Sequence, residues 1–521
     1  MAPAKAEVVV PAGVDIAKAR AVGREPWFRW YPYEPATFAK AKAEGRYLLL
    51  DGAAEWCHWC HVMDETTYRD PDVGRMIRDR FVAVRIDIDA RPDLGERYAE
   101  WGWPATILLS PDAEEVGKFR GYIPPERLRV TLEEVLRARP RAVEDRGESD
   151  LAGKPADVGS LPWVGARVAL DLDGWWDPAE GGWGTRQKTP LGANVEFEIV
   201  RASHGDAAAR TRAALAIEKE RSLLDPVWGG LYQYSAASDW NSPHFEKLMT
   251  VQAAALEARA RAVRVDHDAG ALADARAIER YLGAFLSAPD GAFFANQDAD
   301  VGAHDRAIPF VDGHAYYGKD DPGRRAMGIP WIDTHVYARE NGLAIAALVE
   351  LSLATGDART LARARKAADR VYASHVLADG SVLHDESRRE GPFLLADAAA
   401  LGRGLARLAE ATRAPADRAS AEKVVYAMER NFADPRSGAL FETTEDSNAT
   451  GVFGRRRVPF AQDVLAARSL ASLARLDGDA AMRDRARAIL AAIATPQALE
   501  AQGRWLGEFL LALDEVNSLR W

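Results

Sequence analysis

Asp51-Gly52-Ala53-Ala54-Glu55-Trp56-Cys57-His58-Trp59-Cys60-His61 carries both cysteines of a 521-residue chain, and its surroundings decide the fold of the first part of the molecule. Just upstream, Tyr47-Leu48-Leu49-Leu50 is an apolar run of strand length, so the cysteines fall directly after a strand, spaced i and i+3 at the start of a helix. Further upstream, Phe38 to Glu44 reads as a short helix closed by Gly45. Downstream, Asp72 to Arg80 reads as a helix, Phe81 to Asp87 and Thr106 to Leu109 as strands, Pro111-Asp112 as a turn, Val116 to Tyr122 as a last strand and Pro125 to Arg137 as a closing helix. Alternation of this kind specifies an α/β sheet domain over 34–138, preceded by an extension at 1–33.

Two cysteines cannot staple a secreted scaffold, so the pair is redox-active, metal-binding, haem-attaching or inert in a core. Thiol–disulfide exchange needs a low-pKa thiolate at a helix amino terminus and a second thiol one turn away to resolve the mixed disulfide. Cys57 and Cys60 have that spacing. Cys57, Cys60 and His61 also share one helical face, on which they could hold a metal given a ligand from elsewhere. Cys57 to His61 in addition spells the C-x-x-C-H of haem attachment.

The context of the pair resembles thioredoxin. Asp51 ends the strand six residues before Cys57, Trp56 immediately precedes it, and Gly102-Trp103-Pro104-Ala105-Thr106 is similar to the cis-proline loop that faces the disulfide in that fold. The resemblance implies Cys57 as nucleophile, stabilised by the helix dipole, Cys60 as resolving thiol, Asp51 as its proton acceptor, and Pro104 presenting backbone to an extended substrate. His58, when protonated, would lower the Cys57 pKa and make the disulfide more oxidising, and Trp56, Trp59, Trp101 and Trp103 would form an apolar rim or ordinary packing. A helix packed on such a sheet leaves no room for a porphyrin. The expected cofactor is therefore the redox-active disulfide alone, with neither haem nor metal.

Between about 139 and 162 charge, Pro and Gly replace periodicity, as in a linker. From about 163 to 521 the chain is Ala/Leu/Arg-rich with helical periodicity, and a turn recurs. It reads Asp177-Pro178-Ala179-Glu180-Gly181-Gly182-Trp183, then Asp225-Pro226-Val227-Trp228-Gly229-Gly230-Leu231, with degenerate copies at Asp290, Asp379 and Asp434. Spacings of this order fit helical hairpins in an internal repeat. About 360 residues supply twelve helices, and closing them into a ring buries the end repeats that an open array would have to cap.

The longer string Trp56 to Asp64, with Arg91-Pro92-Asp93, resembles the spermatogenesis-associated protein 20 / YyaL-like family. Gly181-Gly182-Trp183-Gly184, Pro243-His244-Phe245-Glu246-Lys247 and Asp298-Ala299-Asp300 extend the resemblance over nearly the whole chain. It implies an α/β thioredoxin-like domain followed by an all-α (α/α)6 six-hairpin toroid related to sugar epimerases and glycosidases. Sugar chemistry needs two carboxyls across a ring, or an acid and base on opposite faces. Candidates for the mouth of the toroid are His244, Glu246, Asp298, Asp300, Asp333, His335 and Glu340, with Trp240, Phe245, Phe294, Tyr316, Tyr317 and Trp331 for stacking; the plainer reading has the carboxylates capping helices and bracing loops.

The leading expectation is a thiol–disulfide oxidoreductase whose toroid binds an unknown ligand or client. The alternatives are a carbohydrate-active toroid with an accessory thioredoxin domain, and a toroid that only presents clients to the thiols. Expected partners are a thiol or disulfide protein or a small thiol, with a sugar-like ligand for the toroid. A net charge of −11 argues against a nucleic-acid grip, and no apolar run reaches membrane-spanning length. The opening residues lack an apolar signal core, which reads as cytoplasmic; a signal removed upstream would make the protein periplasmic.

Overall fold

A computed structural model describes residues 16–21, 26–140, 142, 153–389 and 391–517. Residues 141 and 143–152 of the stretch expected to link the domains, and 1–15 and 22–25 of the amino-terminal extension, lie outside the described residues. The chain divides into two compact units: residues 1–147 with 298–331 and 445–456, and residues 148–297 with 332–444 and 457–521.

The first unit is built on a four-stranded mixed sheet of β1 (Tyr47–Ala53), β2 (Phe81–Asp87), β3 (Ala105–Leu109) and β4 (Glu115–Arg120), in the order β2-β1-β3-β4. β1 runs parallel to β2 and antiparallel to β3, and β3 runs antiparallel to β4. Every residue of β1 is buried, which is why that strand reads as a continuous apolar run rather than an alternating one. One face packs Leu49, Ala83 and Leu108 against Met63, Val73, Ile77, Leu128 and Leu132; the other packs Leu48, Leu50, Val84 and Ile107 against Phe38, Leu94 and Tyr98. Helices Pro35–Glu44, Pro71–Arg80 and Pro125–Ala138 each start at a proline, whose missing N–H costs nothing in a first turn.

Two segments expected within 163–521 pack with this unit. Val452 N donates to the Ala113 carbonyl, and Phe453 sits edge-on to Tyr33 and Phe38. In 298–331, the Val301–Val311 bridge and the hydrogen bond donated by the Asp298 amide to the Trp331 carbonyl close a loop carrying the short helices Gly313–Tyr317 and Asp321–Met327.

In the second unit six helices, Gly192–Ser203, Met249–Asp266, Ala338–Thr355, Leu395–Thr412, Phe460–Asp477 and Gly507–Asn517, pack each against the next and the last against the first. Ala207–Glu220, Ala269–Ala284, Ala358–His375, Pro415–Phe432, Ala480–Ile493 and Leu161–Asp173 pack outside them, completing an (α/α)6 toroid. Glycine sets the inner spacing: a Cβ on Gly342 would lie 2.4 Å from the Ala400 carbonyl carbon, and one on Gly404 2.5 Å from the Gly342 oxygen.

The repeated turn has one structural meaning. Five antiparallel bridges, Trp176–Trp183, Leu224–Leu231, Ser287–Phe293, Val376–Val382 and Ala433–Leu440, place a tight hairpin at each copy. In the two full copies the paired glycines have φ between 70° and 77°, a region closed to most side chains. Each full copy also holds a buried lysine: Lys188 Nζ donates to Asp177 Oδ2 at 2.7 Å and Lys247 Nζ to Asp225 Oδ2 at 2.7 Å.

Candidate functional site

Cys57 caps the helix His58–Glu65, its Sγ accepting the Cys60 amide at 3.2 Å, and the two sulfurs are joined as a disulfide with Cα atoms 5.2 Å apart. Both cysteines are buried. The Trp103–Pro104 peptide is cis and leads directly into β3, whose Ala105 pairs with Gly52. The approach is tight: a Cβ on Gly52 would meet Trp103 Cζ3 at 2.9 Å. Trp56 is buried and donates from Nε1 to Asp89 Oδ2 at 2.6 Å. Trp59 is buried as well, while Trp101 and Trp103 are half-buried.

Asp51 is 1% exposed on β1. Tyr68 donates its hydroxyl to Oδ1 at 3.0 Å, and Arg85 Nη2 lies 3.0 Å from Oδ2. Burial pushes the Asp51 carboxyl up to about 6, Arg85 only partly offsetting it because Arg85 is also held by both oxygens of Asp64.

Imidazoles on the cysteine-bearing helix meet the carboxylates of Asp298-Ala299-Asp300. His58 Nδ1 donates to Asp300 Oδ2 at 2.7 Å, and His61 Nε2 to Asp298 Oδ2 at 3.1 Å. His304 Nε2 reaches the same Asp298 oxygen at 2.8 Å while its Nδ1 lies 2.9 Å from Glu55 Oε2. The Asp300 amide donates to Asp298 Oδ1 at 2.9 Å, and the Gly313 amide to Asp300 Oδ1 at 3.0 Å. Burial opposes charge on His304, but Asp298 and Glu55 overcome it and push its pKa up to about 9. Burial likewise resists ionisation of Asp298, yet His61 and His304 hold it down to about 2. Asp300 is raised, because burial outweighs His58.

Beside this array lies a cavity of about 400 Å³, whose wall includes Cys60, His61, Glu55, His304, Arg85 and Trp30. Its charged edge includes Glu65, which pairs with Arg20, Arg69 and Arg306.

The structure divides the residues expected to bind a ligand in the toroid. Asp298, Asp300 and Trp331 belong to the first unit, where the two carboxylates take up the histidines of the thiol helix and Trp331 packs on His304 with centroids 4.8 Å apart. His244, Glu246 and Trp240 belong to the second unit. There His244 Nδ1 lies 3.7 Å from Glu246 and stacks on Tyr234. Trp240 is buried against Gly182 and donates to the Glu180 carbonyl, bracing the first repeated turn. Asp333 accepts from its near neighbour His335 at 2.6 Å. Glu55, Tyr68, Arg85 and His304 were not anticipated; the spacing of a histidine six residues after Asp298 is the one signal that could have found the last.

Sheet, cis-proline and helix-capping disulfide define the first unit as a thioredoxin-like domain with a C-x-x-C pair, joined in one chain to an (α/α)6 toroid. Residues 22–152 match the family described as Thioredox_DsbH, a protein of unknown function, DUF255. The expected likeness to spermatogenesis-associated protein 20 holds: the Homo sapiens protein is 28% identical over 307 residues, covering 52% of this chain and 39% of that protein. The match thus spans about two fifths of its curated relative. An 80-residue stretch, 15% of this chain and 14% of the other, is 36% identical to thiol:disulfide interchange protein DsbD 2 of Pseudomonas aeruginosa. Among solved structures, cellobiose 2-epimerase of Bacillus thermoamylovorans superposes with a TM-score of 0.50 at 11% identity, over 64% of this chain and 85% of that one, a likeness of fold alone. No helix among the described residues is long and apolar enough to cross a membrane.

Proposed function

We propose that the chain is a thiol–disulfide oxidoreductase acting through Cys57 and Cys60 on a small thiol or an extended disulfide-bearing segment. The observation that carries this reading is the Cys57–Cys60 disulfide capping the helix that follows β1, with Cys60 on the wall of a cavity. The similarity to a protein named as a thiol:disulfide interchange protein supports it.

In the reducing direction the Cys57 thiolate attacks one sulfur of the substrate disulfide, the substrate S–S bond breaks, and one substrate thiolate leaves. Asp51 takes the Cys60 proton, and the Cys60 thiolate attacks the Cys57 sulfur, releasing the second substrate thiolate and leaving the Cys57–Cys60 disulfide. The enzyme loses two electrons and the substrate gains them. Helix N–H groups at Cys57 stabilise its thiolate, and a carboxyl shifted to about 6 is poised to exchange a proton near neutral pH. Pro104 offers backbone to the substrate and His58, fixed on Asp300, stands next to the nucleophile.

The toroid is a binding unit in this reading. A carbohydrate-active toroid is the weaker alternative, because Asp298 and Asp300 are engaged with the histidines of the thiol helix.

The test is turnover with a small aromatic disulfide and with insulin. Cys57→Ser should abolish both, and Cys60→Ser should accumulate mixed disulfides on Cys57. Full thiol-dependent turnover by Cys57→Ser would refute the proposal.

A further inference from the structure

His61, Asp298 and His304 bring one donor atom each to within 4.8 Å of one another. Both imidazoles aim Nε2 at the same carboxylate oxygen, Asp298 Oδ2, at 3.1 and 2.8 Å. A tetrahedral zinc with bonds of about 2.0–2.1 Å holds its ligand atoms roughly 3.3 Å apart, so each nitrogen already stands close to that spacing from the carboxylate oxygen, with the two nitrogens within 4.8 Å of each other.

The surroundings are those of a ligand set. Asp298 Oδ1 is occupied by the Asp300 amide, which leaves Oδ2 as a one-oxygen ligand. His304 Nδ1 is turned to Glu55, the carboxylate–histidine arrangement that orients a metal-binding imidazole and raises its basicity. His61 is fixed by its place on a buried helix, and Asp298 is fully buried. His61 and His304 both line the cavity of about 400 Å³, which gives a metal ion a route in and leaves room for a fourth ligand, a water or a group of the substrate.

We propose that His61, Asp298 and His304 bind a divalent first-row metal ion of the zinc class, in a three-ligand site open to the cavity beside the disulfide. Two imidazoles and a carboxylate suit Zn²⁺ rather than Mg²⁺ or Ca²⁺, which take oxygen ligands. The site differs from the cysteine-based one weighed from the sequence: no sulfur is needed, and two ligands come from a segment more than 230 residues away from the first, the separation of His61 and Asp298 being 237. It stands independently of the thiol chemistry.

The experiment uses the full chain with its disulfide intact, so that the cysteines cannot ligate, stripped by chelator and titrated with Zn²⁺ by calorimetry and with Co²⁺ by visible absorption. One equivalent of metal per chain is expected, with the intense visible bands of four- or five-coordinate Co²⁺. His304→Gln and Asp298→Asn should each weaken binding about 100-fold or more, and Glu55→Gln, on a half-exposed side chain outside the ligand set, about 10–100-fold. Circular dichroism of Glu55→Gln and His304→Gln checks that the fold survives. Absence of stoichiometric binding, wild-type affinity in His304→Gln and Asp298→Asn, or binding that appears only after disulfide reduction and vanishes in Cys60→Ser would overturn the proposal.

Discussion

Asp51→Asn separates the cost of burying a charge from the value of the contacts around it. The substitution keeps the volume and an oxygen to accept the Tyr68 hydroxyl, and Arg85 keeps Asp64. The carboxyl has a pKa of about 6 in the folded chain against an ordinary 3.8, so the folded state binds more protons than the unfolded one between those values. Stability therefore falls as pH rises through that window and is level above it. Two pKa units correspond to about 3 kcal/mol, roughly half of which develops between about pH 5 and pH 8. Asp51→Asn lacks this dependence, so its stability relative to wild type should climb by about 1.5 kcal/mol over that range. Because a chain of two units need not unfold in one step, the assay is hydrogen exchange in increasing urea, read on peptides covering β1 and β2. A difference that stays flat with pH would refute the raised carboxyl. The same flat result would show that the Arg85 pair, rather than burial, sets its charge, since a lowered carboxyl changes stability only below about pH 4.

Gly52→Ala should force Trp103 away from β1 and cost the first unit about 1–3 kcal/mol; an unchanged urea midpoint on the same peptides would mean that the tryptophan is free to yield. In the toroid, Arg403 forks onto both oxygens of Glu257, both residues buried on inner helices. Arg403→Leu strips Glu257 of both these hydrogen bonds, leaving it only the more distant charges of Arg468 and Arg407, and should cost about 3–5 kcal/mol in the urea unfolding of the inner helices, while adding Glu257→Leu should return much of it. Equal losses in the single and double variants would show that the pair contributes only packing.

Local chemistry was legible in the sequence wherever it was local. An apolar run of four residues, Tyr47 to Leu50, is enough for a strand buried on both faces, and a tryptophan before two cysteines at helical spacing marks the helix that follows. The repeated turns were legible because each needs glycine at positive φ and an aspartate for its own amides, requirements a single side chain cannot disguise. Asp298 and Asp300 were recognised as chemically pointed residues but assigned to a toroid site, since nothing in their neighbourhood names His58 and His61, which lie more than 230 residues upstream. The same limit hid Glu55 and Arg85: an ion pair is written in two places, and sequence gives only the distance along the chain. Helix Pro92–Tyr98 was too short to stand out by periodicity.

The first unit is written in three separate lengths of chain, and this bears on how it comes into being during synthesis. A nascent chain released up to residue 297 already contains both cysteines, yet lacks Asp300 and Asp298, which take up His58 and His61, and His304, which shares Asp298 with His61. The 237 residues between His61 and Asp298 take roughly 10–50 s to translate, so the thiols emerge long before their surroundings can close. During that interval the cysteines belong to an unfinished shell, and most of the toroid must be made before it is finished. Trimming the gene at the end of the α/β region would arrest the protein in that state permanently. A smaller active form would instead have to splice out the toroid segments and rejoin the three lengths.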